Sequence, residues 1–175
     1  HLAWFFRELQ DSLATWAPRT GEAPLTVLLT PGPYSETYFE HAYLARYLGL
    51  PLVEGGDLAV RNGRLFLKTV EGLEPVHGVL RRLDDDWCDP LELRPDSALG
   101  VPGLLQAARA GTVVMANALG SAFLESPAMQ GFLPGIAQRL TGEALSLPSL
   151  PTWWCGEQAA WSDVREHLEG KVVRS

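Results

Sequence analysis

An α/β domain with a mostly parallel sheet is the fold class this sequence predicts. Three observations carry that expectation. Four short apolar runs, at 25–30, 50–53, 76–83 and 112–117, lack the alternation of a half-exposed strand. That is the pattern of strands buried on both faces. Helix-patterned segments and one hairpin separate the runs, as in a wound sheet. Each run also ends in glycine, proline or polar residues, which is where a chain leaves such a sheet.

The elements follow in order. Leu2, Phe5, Phe6, Leu9, Leu13 and Trp16 fall at helical spacing, so residues 2–16 predict an amphipathic lead-in helix. Residues 18–24, bounded by Pro18 and Pro24, read as a linker. The first buried strand is 25–30. Pro31-Gly32-Pro33-Tyr34-Ser35 then turns tightly, and Ser35 is the expected N-cap of a helix over 36–48 that Gly49 ends. Residues 50–53 form the second strand, closed by Glu54-Gly55-Gly56-Asp57. Asn62-Gly63 between two apolar-rich runs predicts a β-hairpin, because a type I′ turn needs positive φ at both central residues.

Residues 76–83 form the third strand, which delivers Arg81-Arg82-Leu83-Asp84-Asp85-Asp86. Pro102 is expected early in a helix that runs through Leu104 and Ala108 to Gly111. Residues 112–117 are the fourth strand. Residues 127–140 read as a helix interrupted near Gly131 and Pro134. Pro148 and Pro151 stiffen the chain, and 161–168 predicts a short last helix. Three segments are expected: a helix and linker over 1–24, the α/β domain over 25–150, and a C-terminal segment over 151–175.

Composition excludes several functions. A net charge of −7 offers no basic face for nucleic acid. No apolar run approaches the ~20 residues that span a bilayer, and no secretory leader is legible. Cys88 and Cys155 lack a CxxC or metal-ligand spacing, which points to a reducing cytoplasm rather than a disulfide framework or a metal site. The chain opens on His1 and stops at Val172-Val173-Arg174-Ser175, like a strand cut short. A piece of a longer protein is the expectation.

Ligands of such sheets bind beyond the carboxyl ends of the strands. The four ends present Thr30, Gly32, Tyr34 and Ser35, then Glu54 and Asp57, then Arg81, Arg82, Asp84 and Asp85, then Asn117, Gly120 and Ser121. Every end is polar or bears glycine, which marks one rim as a candidate site. Two roles stay open for the arginines, which should face opposite sides of the sheet. One is a supporting ion pair such as Arg82 with Asp84; the other is a guanidinium fork that clamps a carboxylate or phosphate. The acidic triplet suits either a solvated turn or Mg²⁺. The 30–33 loop before a helix has the form of an anion cradle, opposed by Glu36. His41 reads as a packed or surface histidine, and Trp153-Trp154 as packing.

These residues also carry a resemblance. Thr30-Pro31-Gly32-Pro33-Tyr34, Tyr38-Phe39-Glu40-His41-Ala42-Tyr43-Leu44-Ala45, Leu52-Val53-Glu54-Gly55-Gly56-Asp57-Leu58, Arg81-Arg82-Leu83-Asp84-Asp85, Asp89-Pro90, Ser97-Ala98-Leu99-Gly100-Val101-Pro102-Gly103-Leu104 and Asn117-Ala118-Leu119-Gly120-Ser121 stand in order. Together they resemble the circularly permuted ATP-grasp family, related to glutathionylspermidine synthase. The likeness runs from about Leu25 to the end. It implies a Rossmann-like pre-ATP-grasp domain, the substrate side of an ATP-dependent carboxylate–amine ligase. Such a ligase phosphorylates a carboxylate with ATP and Mg²⁺, and an amine then attacks the acyl phosphate.

The resemblance further implies that Arg81 or Arg82 neutralises the carboxylate or acyl phosphate, and that Asp84 or Asp85 orients that arginine or holds the amine. Asn117 and Ser121 would add neutral hydrogen bonds. The family's Mg²⁺ block lies upstream of this stretch and its ATP lobes downstream, so no cofactor is expected on this piece alone and it should not catalyse by itself. The partners implied are a small carboxylate, a small amine and the ATP-grasp lobes of the same protein, with neither nucleic acid nor membrane. Two readings compete: a non-catalytic scaffold using Trp153, Trp154 and Trp161, and a small-ligand-binding Rossmann-like domain.

Overall fold

Two sheets organise the computed structural model, which describes residues 2–18, 21 and 23–174. The chain divides into two compact units, one ending at Ser121 and the other starting at Ala122.

In the first unit, β1 (Thr26–Leu29), β2 (Leu52–Val53), β6 (Gly78–Arg81) and β7 (Val114–Ala116) form a parallel sheet in the order β2-β1-β6-β7. Register places Leu29 beside both Val53 and Arg81, and Val79 beside Met115. The fold class is therefore the expected one. β3 (Leu58–Arg61), β4 (Arg64–Thr69) and β5 (Gly72–Pro75) make a separate antiparallel sheet, with Asn62 at φ +50° and Gly63 at φ +70° in its first turn. The predicted hairpin is present and has gained β5, a fully exposed edge strand. Gly72 and Pro75 hid β5 from a propensity reading.

The apolar runs are strands because their side chains are sealed on both faces. Val27, Leu28 and Leu29 have no exposed surface. Alternation sends Val27, Leu29 and Val79 into one core, shared with Leu58 and Leu65 of the antiparallel sheet and with Leu104 and Ala107 of α3 (Leu104–Arg109). Thr30 turns to the other face and meets His41 of α2 (Tyr38–Leu48). Burying one such Val or Leu contributes about 1.5–3 kcal/mol. β7 departs from the sequence reading: it is a half-buried edge strand, not a fully buried one. α1 (Leu2–Trp16) lies beside it, and the two border a cleft of about 270 Å³.

Several boundaries also move. α2 begins at Tyr38, and Ser35 does not cap it. Two successive turns intervene, Ser35 N–H to the Gly32 carbonyl and Tyr38 N–H to the Ser35 carbonyl, while the Ser35 hydroxyl accepts from Thr37 N–H. Pro102 precedes α3 instead of opening it.

In the second unit, α4 (Met129–Thr141) runs unbroken through Gly131 and Pro134. Pro134, sixth of the thirteen residues, forfeits one interior donor, the one that would reach the Gln130 carbonyl. Glycine at 131 serves packing: a β-carbon on it would stand 2.7 Å from the Thr152 carbonyl oxygen. α5 (Gln158–Glu166) starts earlier than predicted.

Candidate functional site

Parallel pairing puts all four strand tips on one rim, in the order Glu54, Thr30, Arg81 and Asn117. β6 and β7 are neighbours, and Arg81 Nε donates to the Asn117 carbonyl at 3.2 Å. The rim is continuous, yet its residues do different work.

Arg81 is fully engaged. Besides Asn117 it donates through Nη1 to the Leu83 carbonyl (2.5 Å) and pairs through Nη2 with Asp85 (2.5 Å). Asp85 in turn accepts from Gly120 N–H at 2.9 Å, so one carboxylate ties the β6 tip to the loop after β7. The supporting ion pair is thus Arg81–Asp85, and the expected Arg82–Asp84 pair does not form. Its cause is the 3-10 turn at Asp85–Trp87, which swings Asp85 back one turn beneath Arg81. Cys88 closes the turn, its thiol directed at the Asp84 carbonyl (3.3 Å). Burial pushes that thiol's pKa up to about 11, against the lowering pull of Arg81.

Arg82 faces the opposite side of the sheet, with its backbone N–H bonded to the Leu29 carbonyl. Its guanidinium makes no hydrogen bond or ion pair among the described residues. It lines a second cleft of about 270 Å³ with Pro31, Ser35, Glu36, Thr37 and Asp84, and Leu83, Trp87 and Leu99 complete the wall.

Behind the cleft runs a hydrogen-bonded chain. Thr30, 1% exposed, accepts from Gly32 N–H and touches His41 Nδ1 at 2.9 Å. His41 Nε2 meets the Thr37 hydroxyl at 3.1 Å, and Thr37 meets Ser35 at 3.1 Å. His41 is 2% exposed. Burial, then the nearby Arg82 charge, lower its pKa, while Glu40 works in the opposite direction. His41 therefore stands as a neutral bridge between two hydroxyls. Sequence reasoning read it as a packed or surface histidine; the signal for its hydrogen-bonded role was Thr37 four residues earlier, on the same helical face.

The remaining rim residues sort by contact. Gly32, at φ +98°, lies against the Glu54 carboxylate, where a β-carbon would approach within 3.0 Å. Glu54 and Asp57 cap each other across a 3-10 turn, with Glu54 N–H bonded to Asp57 Oδ2 at 2.8 Å. Tyr34 points wholly into solvent. Asn117 borders the cleft between α1 and β7 instead of the Arg82 cleft. Gly120 serves through its backbone, and Ser121 N–H closes a turn onto the Ala118 carbonyl. Of the predicted wall, the structure gathers Ser35, Arg82 and Asp84 around one cavity.

Two supports were missed. Asp89, fully buried, accepts from Leu91, Gly103 and Leu105 N–H. Ser97 donates to the Trp87 carbonyl at 2.7 Å and fixes the loop that carries Leu99. That loop sits so close that a β-carbon on Gly55 would stand 2.2 Å from the Leu99 carbonyl oxygen.

The profile of a family described as circularly permuted ATP-grasp type 2 matches residues 1–175. An uncharacterized protein of Mycobacterium tuberculosis is 43% identical over 171 residues, which cover 98% of this chain and 19% of that protein. One from Synechocystis is 41% identical over 168 residues, covering 96% of this chain and 35% of that protein. One from Mycobacterium leprae is 37% identical over 169 residues, covering 96% and 29%. The chain therefore spans between 19% and 35% of the length of these relatives.

Proposed function

This chain belongs to the circularly permuted ATP-grasp type 2 family, and from that premise we propose that it forms the substrate-side wall of an ATP-dependent carboxylate–amine ligase. One observation supports the reading most: Arg82, an unengaged guanidinium at the end of a central parallel strand, opening on a cleft of about 270 Å³. That volume lies just below the ~300–1,000 Å³ typical of ligand pockets, which suits a small acid. Arg82 receives the substrate carboxylate, and the Ser35 hydroxyl, accepting from Thr37, donates its own proton to it. Arg81, with Asp85, holds the rim and does not touch substrate.

ATP-grasp proteins generally use ATP and Mg²⁺, and in this reading other parts of the longer protein hold them. Asp85 is committed to Arg81 and Gly120. Among the described residues no group of three or more His, Cys, Asp or Glu gathers to hold a metal. The nucleotide lobes belong, in this reading, to the part of the longer protein into which residues 151–175 lead. A likeness to glutathionylspermidine synthase and a cytoplasmic setting go with the same proposal; among the described residues no helix is long and apolar enough to cross a membrane.

The test is amine-dependent ADP release by the full-length protein carrying this segment. Arg82→Ala is expected to lower it at least about tenfold, the loss of a charge-assisted hydrogen bond, with the melting temperature unchanged. Wild-type turnover in that variant would overturn the proposal. A scaffold reading draws on the exposed Trp153, Trp154 and Trp161 of the second unit, and it predicts no ATP turnover in the wild type.

A further inference from the structure

The Arg82 cleft has a charge pattern that says more than carboxylate recognition. Its wall carries one cation, Arg82, and two anions, Glu36 and Asp84. None of the three side chains makes an ion pair among the described residues. Ser35 and Thr37 add hydroxyls, while Pro31, Leu83, Trp87 and Leu99 add a short apolar surface. A phosphate or dicarboxylate would meet two repelling carboxylates for one attracting guanidinium. A plain monocarboxylate would leave both anions unanswered. A ligand with one carboxylate and one ammonium answers all of them.

We infer that this cleft takes a zwitterion, an α-amino acid or a ligand ending in one, with its carboxylate on Arg82 and its ammonium between Asp84 and Glu36. The inference rests on the proposed acid site and deepens it: acid and amine groups belong to one molecule, not to two substrates meeting there. The hydrogen-bonded chain from Thr30 through His41 to Thr37 keeps the hydroxyl side fixed. The apolar patch limits the side chain to a small one, as the cavity volume requires.

Three probes of nearly one shape separate the possibilities: L-alanine, propionate without the ammonium, and ethylamine without the carboxylate. Binding of each to the chain is followed by nuclear magnetic resonance titration of the backbone amides at residues 31–37 and 82–87. Alanine is expected to bind about fivefold or more tightly than either partial probe, the worth of one partly screened ion pair. Arg82→Gln is expected to bring alanine down to the level of ethylamine, and Glu36→Gln with Asp84→Asn to the level of propionate. All three side chains are exposed, so the variants should keep their melting temperature, checked by circular dichroism. Propionate binding as well as alanine would overturn the zwitterion and leave the acid site standing. Propionate and ethylamine bound side by side, each as tightly as alanine, would overturn the one-molecule inference and favour two substrates. Indifference of all three probes to Arg82→Gln, or no saturable shift with any of them, would overturn the inference and the acid site together.

Discussion

Burial leaves the His41 imidazole between the Thr30 and Thr37 hydroxyls and near the Arg82 charge, so its pKa in the folded chain lies below the ordinary histidine value of about 6.5. The unfolded chain then binds the extra proton first as pH falls. The stabilisation from a neutral His41 is complete above about pH 6.5 and is lost as pH drops through the lower folded value. Denaturant midpoints measured from pH 7.5 down to pH 5 should fall for the wild type and fall less for His41→Gln. Equal slopes would show that His41 does not titrate in that window. The adjoining pair Arg81-Arg82 was legible in sequence as the charged end of a strand. Which arginine stays available was not, because Arg81 is engaged by the Asn117 carbonyl from another strand and by a turn that folds Asp85 beneath it. The Asn117 contact depends on strand pairing, which local sequence does not encode, and the Asp85 contact depends on the path of the 3-10 turn.

α3 shows how one element is held by a distant residue. Its N-cap is Gly103, at φ +85°, which has no side chain to satisfy the first backbone donors. Asp89 supplies the missing acceptor from 14 and 16 residues upstream, taking Gly103 N–H at 3.2 Å and Leu105 N–H at 2.9 Å. Asp89→Ala takes a buried acceptor away from these two donors and from Leu91 N–H. A cost of about 3 kcal/mol is expected, read as a shift in the urea midpoint, since hydrogen bonds to a charged group contribute about 1.5–3 kcal/mol each when shielded and less where water can reach the donor. A shift under about 1 kcal/mol would mean that water reaches the helix end. Strands β1, β2 and β6 were legible because continuous apolar runs have few other uses. β5 and the start of α2 were not: exposed Gly72–Pro75 has no pattern, and the Ser35 hydroxyl closes a turn where a cap was expected.

For the molecule as a whole, the topology matters more than any single contact. Four parallel tips converge because β1 and β6 sit at the centre, with β2 and β7 outside them. Sequence predicted that convergence from run endings alone. It could not divide the rim into the Arg82 cleft and the α1–β7 cleft, since that division comes from packing between distant elements. The two arginines should accordingly behave in opposite ways. Arg81→Ala removes ties to Asn117, Leu83 and Asp85 at once, and Asp85 keeps only 14% of its side-chain surface exposed. A loss of about 2–4 kcal/mol in the stability of the first unit is expected, measured by chemical denaturation. Arg82→Ala should shift the same midpoint by less than about 0.5 kcal/mol, as exposed substitutions do. Equal effects would erase the division between a supporting and a receiving arginine.

The Arg82 amide bonded to the Leu29 carbonyl carries a consequence for how an occupant arrives. The root of that side chain is stitched into the sheet before any visitor comes, so only the four torsions of its own stem have to settle. Under the proposed function, capture at this spot asks for rotamer selection on a standing platform, with no rearrangement of the chain beneath it.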